Sequence, residues 1–310
     1  MKNYKLTILG YPVNNPSEIT HCFGMLTYGL QQEFSKLSHV DLSIYKIGNP
    51  HSIPNDIPQS DFILAVSWGS FFRHQSSIDT IRSKCKYFCS FLEIPEPCDF
   101  SFSFMNCKTK ESKDKYLIIP SPYTPELYLH VPKYPKTILI DHCDHTFFEG
   151  KGNLADWSKK SEGVDITRDI YTWIKPIQGE YRIYALYNKR IEDIWLPLIP
   201  PYIIPVPLMN FIDYIKFISE MEQLITPEKE GYPFTVLDMI IMGSRCLTPP
   251  TFIPGYQINR FNLPIFNNQT ELLNELTKPI NTELLNKNIE KCTPMNKVVE
   301  IIDTKLQELL

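Results

Sequence analysis

The sequence predicts an α/β protein built as two successive halves, each a parallel sheet covered by helices. Three observations carry this. Strand-like and helix-like segments alternate as far as Ile119, the pattern of βαβ units. A Pro-rich stretch from Pro120 to Pro135, with Pro122, Pro125 and Pro132 between them, interrupts the alternation. The alternation then restarts. A length of 310 residues fits such a plan, since one domain takes roughly 150 residues.

In the first half, Lys5 to Gly10 reads as a strand entering a turn. Ser17 and Glu18 open a long amphipathic stretch, Ile19 to Leu37, predicted as a helix. Val40 to Ile47 is the second predicted strand. Asp61 to Ser67 is the third, nearly all apolar, as in a strand buried on both faces. A helix is predicted at Ser77 to Lys84, then strands at Tyr87 to Leu92 and Tyr116 to Ile119. The linker is expected at 121–135. In the second half, Lys136 to Asp141 is the first predicted strand and Val164 to Trp173 a helix. Tyr181 to Tyr187 and Met221 to Thr226 read as strands on either side of a helix at Phe211 to Ser219. A helix at Pro233 to Met242, a strand at Arg245 to Thr248 and a helix beginning at Thr270 follow. Val298, Val299, Ile302, Leu306 and Leu309 recur at helical spacing, so 295–310 is predicted as a helix with one docking face. The expected division is 1–128, 129–294 and the helix 295–310.

Composition excludes several classes. Hydrophobic residues at 43% and charged residues at 21% are incompatible with disorder as the main state. A net charge of -4 argues against general nucleic-acid binding, which needs a basic footprint. No apolar run reaches the roughly 18 residues of a bilayer span, and Met1 to Val13 does not read as a signal peptide. A cytoplasmic protein with eight reduced thiols is therefore expected. Cys85 and Cys89 are the nearest pair and no C-x-x-C occurs, against a zinc ribbon. The chain has no G-x-x-x-x-G-K-[ST] and no G-x-S-x-G, which removes the P-loop and the nucleophile elbow.

The segment from Thr226 to Gly243 is the most informative. A predicted strand ends, an acid-bearing turn follows, and a helix opens at Pro233, a residue favoured in the first helical turn. The amides of Phe234, Thr235 and Val236 then point outward, with the positive end of the helix dipole behind them. That is a ready site for a phosphate. Glu230 stands before the helix and Asp238 about a turn and a half inside it. One carboxylate reaches a ligand's far end and the other its near side, with the phosphates between. The pattern leaves a second reading open, in which Glu230 caps the helix and Asp238 is solvated.

Glu230, seven intervening residues, Asp238 and then Gly243 resemble the E-x7-E segment of retaining GT-B glycosyltransferases, family 4. The usual form there is E-G-[FY]-x-x-x-x-x-E-A-M-x-x-G. Glu230-Gly231-Tyr232 matches its start, and Met242-Gly243, with the strand at Cys246-Leu247, matches its end. The resemblance covers roughly 205–280 and extends loosely to the two-domain plan. It implies a GT-B-like fold, two Rossmann-like domains facing across a cleft, with a C-terminal bridging helix. It implies glycosyl transfer from a nucleotide sugar to an unidentified acceptor, such as a carbohydrate, glycan or other hydroxyl compound. It further implies retention of configuration; no metal or bound cofactor is expected, because the helix dipole and basic side chains can take a metal's place. Glu230 is then the catalytic residue, meeting hydroxyls of the donor sugar. Asp238 meets the nucleotide ribose, and Gly231, Tyr232, Phe234 and Thr235 line the donor site. On this reading 1–128 is the acceptor side and 129–294 the nucleotide-sugar side. The chain departs from the pattern where Asp238 replaces the usual Glu, Met239 the usual Ala and Pro233 a commoner Gly. Its first turn, Gly10 to Asn14, also lacks the usual glycine pair. These departures keep two alternatives in view: a non-catalytic, degenerate GT-B protein that binds sugar or a partner, and a GT-B-like sugar-nucleotide epimerase or hydrolase.

Further constellations lie near the expected cleft. Asp141-His142-Cys143-Asp144-His145 is dense in metal-ligand types, but His142 and His145 have no partner cluster of clear spacing. His145 is expected to line the donor site at the end of a strand, where open sheets bind ligands, or to belong to a polar loop. Gly150 to Ala155 fits G-x-G-x-x-[GA] without the strand-turn-helix context. Lys151 within it, and Lys189 after the strand at Tyr187, are candidates to neutralise donor phosphates, with solvated lysines as the plain reading. Trp68 and His74 follow the apolar third strand and are expected on the acceptor side, with core packing as the alternative for Trp68.

Overall fold

The computed structural model describes residues 1–19, 22–47, 53, 56–66, 75–92, 98–103, 115–120, 122–141, 169–187, 196–226, 234–250 and 260–310. The described strands form two main sheets, parallel throughout. The first contains β1 (Tyr4–Gly10), β2 (Val40–Lys46), β3 (Ser60–Ala65), β4 (Cys85–Leu92), β5 (Phe100–Ser103) and β6 (Tyr116–Ile118), in the order β2-β1-β3-β4-β5-β6. After β7 (Pro122–Tyr123), the second sheet contains β8 (Tyr134–Ile140), β9 (Arg182–Tyr187), β10 (Ile204–Pro207), β11 (Met221–Ile225) and β12 (Arg245–Leu247), in the order β10-β9-β8-β11-β12. The two sheets share no strand. A short ladder joins β7 to β13 (Thr293–Pro294), pairing the chain between the sheets with the chain before the last helix. No described helix is long and apolar enough to cross a membrane.

The apolar runs explain the strands. Leu6, Ile8 and Leu9 of β1 and Phe62 to Ala65 of β3 have no exposed surface, because helices cover both faces of the sheet. In the second sheet the two faces part by alternation. Leu139 and Leu224 join a core cluster shared with the first half. Their neighbours Ile138, Ile140 and Ile225 point the other way, into a second cluster with Ile170, Ile174, Leu272 and Leu276.

Several elements differ from the sequence expectation. The first long helix is shorter, Cys22–Phe34, behind a separate 3-10 turn at Pro16–Glu18. Asn15 opens that turn by accepting from Ser17 N–H, and Ile19, extended and bonding back to Pro16 O, closes it. β5, β10 and the helix Thr282–Ile289 were not expected. β10 holds two prolines, tolerated because it is an edge strand. The Pro-rich stretch expected as a linker carries β7 and a 3-10 turn, Pro125–Leu127, and β8 begins inside it.

The final helix runs Met295–Leu309 and buries Met295, Val298, Val299, Ile302 and Leu306. Each such side chain contributes about 1.5–3 kcal/mol. The exposed pair Lys297–Glu300 contributes under about 1 kcal/mol, so packing holds the helix. It returns to the first half of the chain. Tyr4 Oη donates to Asp303 Oδ1 at 2.6 Å, and Lys2 N–H donates to Gln307 Oε1 at 2.9 Å. Gly29 marks the closest approach: a Cβ there would lie 2.5 Å from Thr124 Oγ1 and 2.7 Å from Met295 Cε. Only glycine lets the first helix, the inter-sheet segment and the last helix meet.

Candidate functional site

Open parallel sheets bind ligands beyond the carboxyl ends of the strands where the strand order reverses. In the first sheet the reversal lies between β1 and β3, in the second between β8 and β11. β1 ends at Gly10, where a Cβ would press on Thr27 Oγ1 at 2.5 Å. β8 and β11 end at Ile140 and Ile225, and the next residues, Asp141 and Thr226, are buried. Their amides extend the sheet, Asp141 N–H to Ile225 O and Thr226 N–H to Leu247 O, each at 3.0 Å. The two halves touch beside this region, where Phe211 N–H donates to Ile19 O at 3.1 Å.

The helix Phe234–Ile241 lies between β11 and β12 in the chain. Its end explains the last glycine of the motif. Gly243 adopts φ +76°, Ser244 N–H bonds Met239 O and Gly243 N–H bonds Ile240 O, each at 2.9 Å. This is the Schellman arrangement, which a side-chain-free residue in the left-handed region closes at least cost. At the other end, the first-turn amides of an α-helix have no carbonyl within the helix to bond, and the dipole leaves them positive. Thr235 is buried there and Phe234 half-buried.

Asp238 sits mid-helix and is 3% exposed. Its Oδ1 accepts a hydrogen bond from Tyr128 Oη at 2.6 Å, within the range of charge-assisted O–H···O bonds. Tyr128 follows the 3-10 turn between the sheets, and its hydroxyl lies 3.6 Å from Met25 Sδ in the first half. Tyr214 brings a second buried hydroxyl to this carboxyl, without a hydrogen bond of full geometry, so Tyr128 makes the defined bond. Burial pushes the Asp238 carboxyl up to about 7, and the Asp141 carboxylate adds to this. The tyrosine hydroxyls pull the other way. Burial likewise pushes the Tyr214 phenol far up. Asp238 is therefore enclosed, not solvated as the plain reading had it, and one oxygen is committed within the protein.

Of the remaining expected site residues, Phe234 and Thr235 stand at the helix start. Glu230, Gly231, Tyr232, Lys189, Lys151, His145, Trp68 and His74 lie outside the described residues. Among the described residues no three His, Cys, Asp or Glu side chains gather closely enough to hold a metal ion. Sequence reasoning missed Tyr128 and Tyr214. Nothing in the local pattern around Tyr128 marks it, because its partner is 110 residues away.

No protein-family model matches the chain, and no curated protein matches it. Solved structures match along nearly its whole length. Sucrose-phosphate synthase from Thermosynechococcus elongatus aligns with a TM-score of 0.66 at 7% identity, covering 98% of each chain. An Anabaena protein solved with UDP and glucose gives 0.60 at 8% identity, covering 99% of this chain and 100% of that one. A putative UDP-N-acetylglucosamine 2-epimerase from Listeria monocytogenes gives 0.59 at 11%, covering 99% and 97%. The chain has the GT-B fold, two Rossmann-like domains facing across a cleft, which glycosyltransferases and such epimerases share.

Proposed function

We propose that the protein transfers a sugar from a nucleotide-sugar donor to a hydroxyl acceptor. The observation that carries this is the helix Phe234–Ile241 following β11 at the reversal of the second sheet. Its first-turn amides and dipole supply roughly half a positive charge, the preorganised counterpart of a diphosphate gaining charge as it leaves. The second half, 129–294, holds the donor, and the first, 1–128, presents the acceptor. Glu230 orients the donor sugar, with Gly231, Tyr232, Phe234 and Thr235 around it. Lys151, Lys189 and His145 serve the phosphates, and Trp68 and His74 the acceptor. Transfer proceeds with retention in the cytoplasm, and helix dipole and basic side chains take the place of a metal. The GT-B neighbours that include a complex with UDP and glucose support this reading.

The epimerase neighbours favour a second reading, a GT-B-like sugar-nucleotide epimerase. Nucleotide sugars with UDP, GDP and ADP heads separate the two. Binding is read by thermal shift, since a ligand of the native state raises apparent stability. Free nucleotide released only with an acceptor supports transfer; an isomerised sugar nucleotide without release supports epimerisation. Glu230→Gln keeps hydrogen bonding and removes the charge, so transfer should fall by about ten- to a hundredfold with stability little changed. Unfolding with turnover per folded molecule intact would make Glu230 a structural cap and remove the main support for transfer.

A further inference from the structure

Asp238 is matched by its motif to a ligand, yet its bond runs inward. The partner, Tyr128, belongs to neither sheet. Its position is set by the 3-10 turn Pro125–Leu127, where Tyr128 N–H bonds Pro125 O at 3.1 Å, and by the edge of the Tyr123 ring at 5.8 Å. Tyr123 pairs with Pro294 in the joining ladder, and the neighbouring Thr124 abuts Gly29 of the first helix. Tyr128 is thus fastened to the inter-sheet segment and the first half, while Asp238 belongs to the helix between β11 and β12.

We propose that Tyr128 is a positioning residue for the donor site: through Asp238 it fixes the helix Phe234–Ile241, and through Met25 it ties that helix to the first half. This rests on the donor-site reading above and deepens it. A buried carboxyl that lost its hydrogen-bond donor would carry the full penalty of desolvation, so the helix is held where the Tyr128 hydroxyl can reach it. The helix amides facing the donor phosphates are then set by the packing of the two halves. The groups facing Asp238 are Tyr128 from the inter-sheet segment, Tyr214 from the helix Phe211–Ser219 and Asp141 at the end of β8. Cys292, before β13, lies within its field.

The test compares wild type, Y128F, D238A, D238N and Y128F/D238A. UDP affinity is measured by calorimetry, and stability is followed by denaturation across pH 5 to 9. Y128F and D238A should each weaken UDP by about fivefold to tenfold, the order expected for one ordinary intramolecular hydrogen bond. The double variant should be no weaker than either single one. D238N should keep most of the affinity, because its amide oxygen still accepts from Tyr128. Y128F should also move the Asp238 titration in the stability curve to higher pH, since the hydroxyl favouring the carboxylate is gone. Losses that multiply in the double variant would overturn the proposal. So would D238N losing as much as D238A while Y128F binds normally, the result expected of a direct ribose contact. If UDP, GDP and ADP all fail to bind wild type, the donor-site reading falls and takes the positioning role with it. The Tyr128–Asp238 fastening is then judged on the stability curve alone, and an unmoved titration in Y128F overturns that too.

Discussion

Two helices of this protein carry a buried aspartate that accepts from a distant tyrosine at 2.6 Å. One pair is Asp238 with Tyr128, the other Asp303 with Tyr4. The local chemistry is the same and the surroundings differ. Asp303 also faces His39 Nε2 at 3.0 Å, a second hydrogen-bonding partner, and the pair sits where β1 and β2 begin. Asp238 faces a second carboxylate, Asp141, and is enclosed beyond the carboxyl ends of β8 and β11. One pair closes the chain on itself at the end of the sheet remote from the crevice. The other keeps a buried carboxyl that is costly to ionise inside the second half. A buried acid with a strongly raised pKa is a functional-site candidate, and the donor-site proposal accounts for this one.

The largest expected effect tests that contrast by pH. The Asp238 carboxyl rises from the usual 3.8 to about 7 in the native state. Between those values the native protein holds a proton that the unfolded chain has released, so stability falls as pH rises. The contribution is complete below about 3.8 and lost above about 7, and it amounts to about 4 kcal/mol at roughly 1.4 kcal/mol per pH unit. Asp238→Asn abolishes this titration, so denaturant curves at pH 5 and pH 8 should shift in favour of the Asn variant as pH rises. Parallel curves for the two proteins would mean that water reaches the carboxyl.

Asp303→Asn should act differently. It replaces the carboxylate facing His39 with an amide while leaving an acceptor for Tyr4, and should cost about 1.5–3 kcal/mol. Urea denaturation measures it, and a neutral result would show that His39 contributes nothing to the tie. Gly29→Ala should cost about 1–3 kcal/mol by overpacking against Thr124 and Met295. The loss should appear in thermal melts, and an unchanged melt would mean that the junction of the three segments gives way freely. The smallest effect is expected at Lys297→Ala. The pair with Glu300 is exposed on both sides, so the same melts should move by less than about 0.5 kcal/mol.

Much of the fold was legible from the spacing of apolar residues. The helix Phe211–Ser219 was expected at those bounds, and the structure caps its start with Asn210, whose side chain accepts from Asp213 N–H. The strands β1, β3, β8 and β11 were readable from the apolar, buried residues at their centres or carboxyl ends, such as Ile8-Leu9, Phe62 to Ala65, Ile138 to Ile140 and Leu224-Ile225. β5 escaped because it is short, four residues of alternating Phe and Ser, and becomes a strand only by lying between β4 and β6. β10 escaped because its prolines argue against a strand until its place at the sheet edge is known. Of the candidate site, the strand-helix-strand around Asp238 and the glycine that ends the helix were readable in order. The partner of Asp238 was not.

The sequence by itself determined the α/β class, the restart of the pattern after the Pro-rich stretch and the apolar face of the last helix. These depend on neighbours within a turn or two, and period and capping report them directly. Only the tertiary structure decided that Asp238 points at Tyr128, that Asp303 closes onto Tyr4 and His39, and that Gly29 stands where three segments meet. Each of these depends on groups about 95 to nearly 300 residues apart in the chain. Chain path and packing bring such groups together, and a local pattern of residue types carries no record of which distant side chain will fill the space opposite.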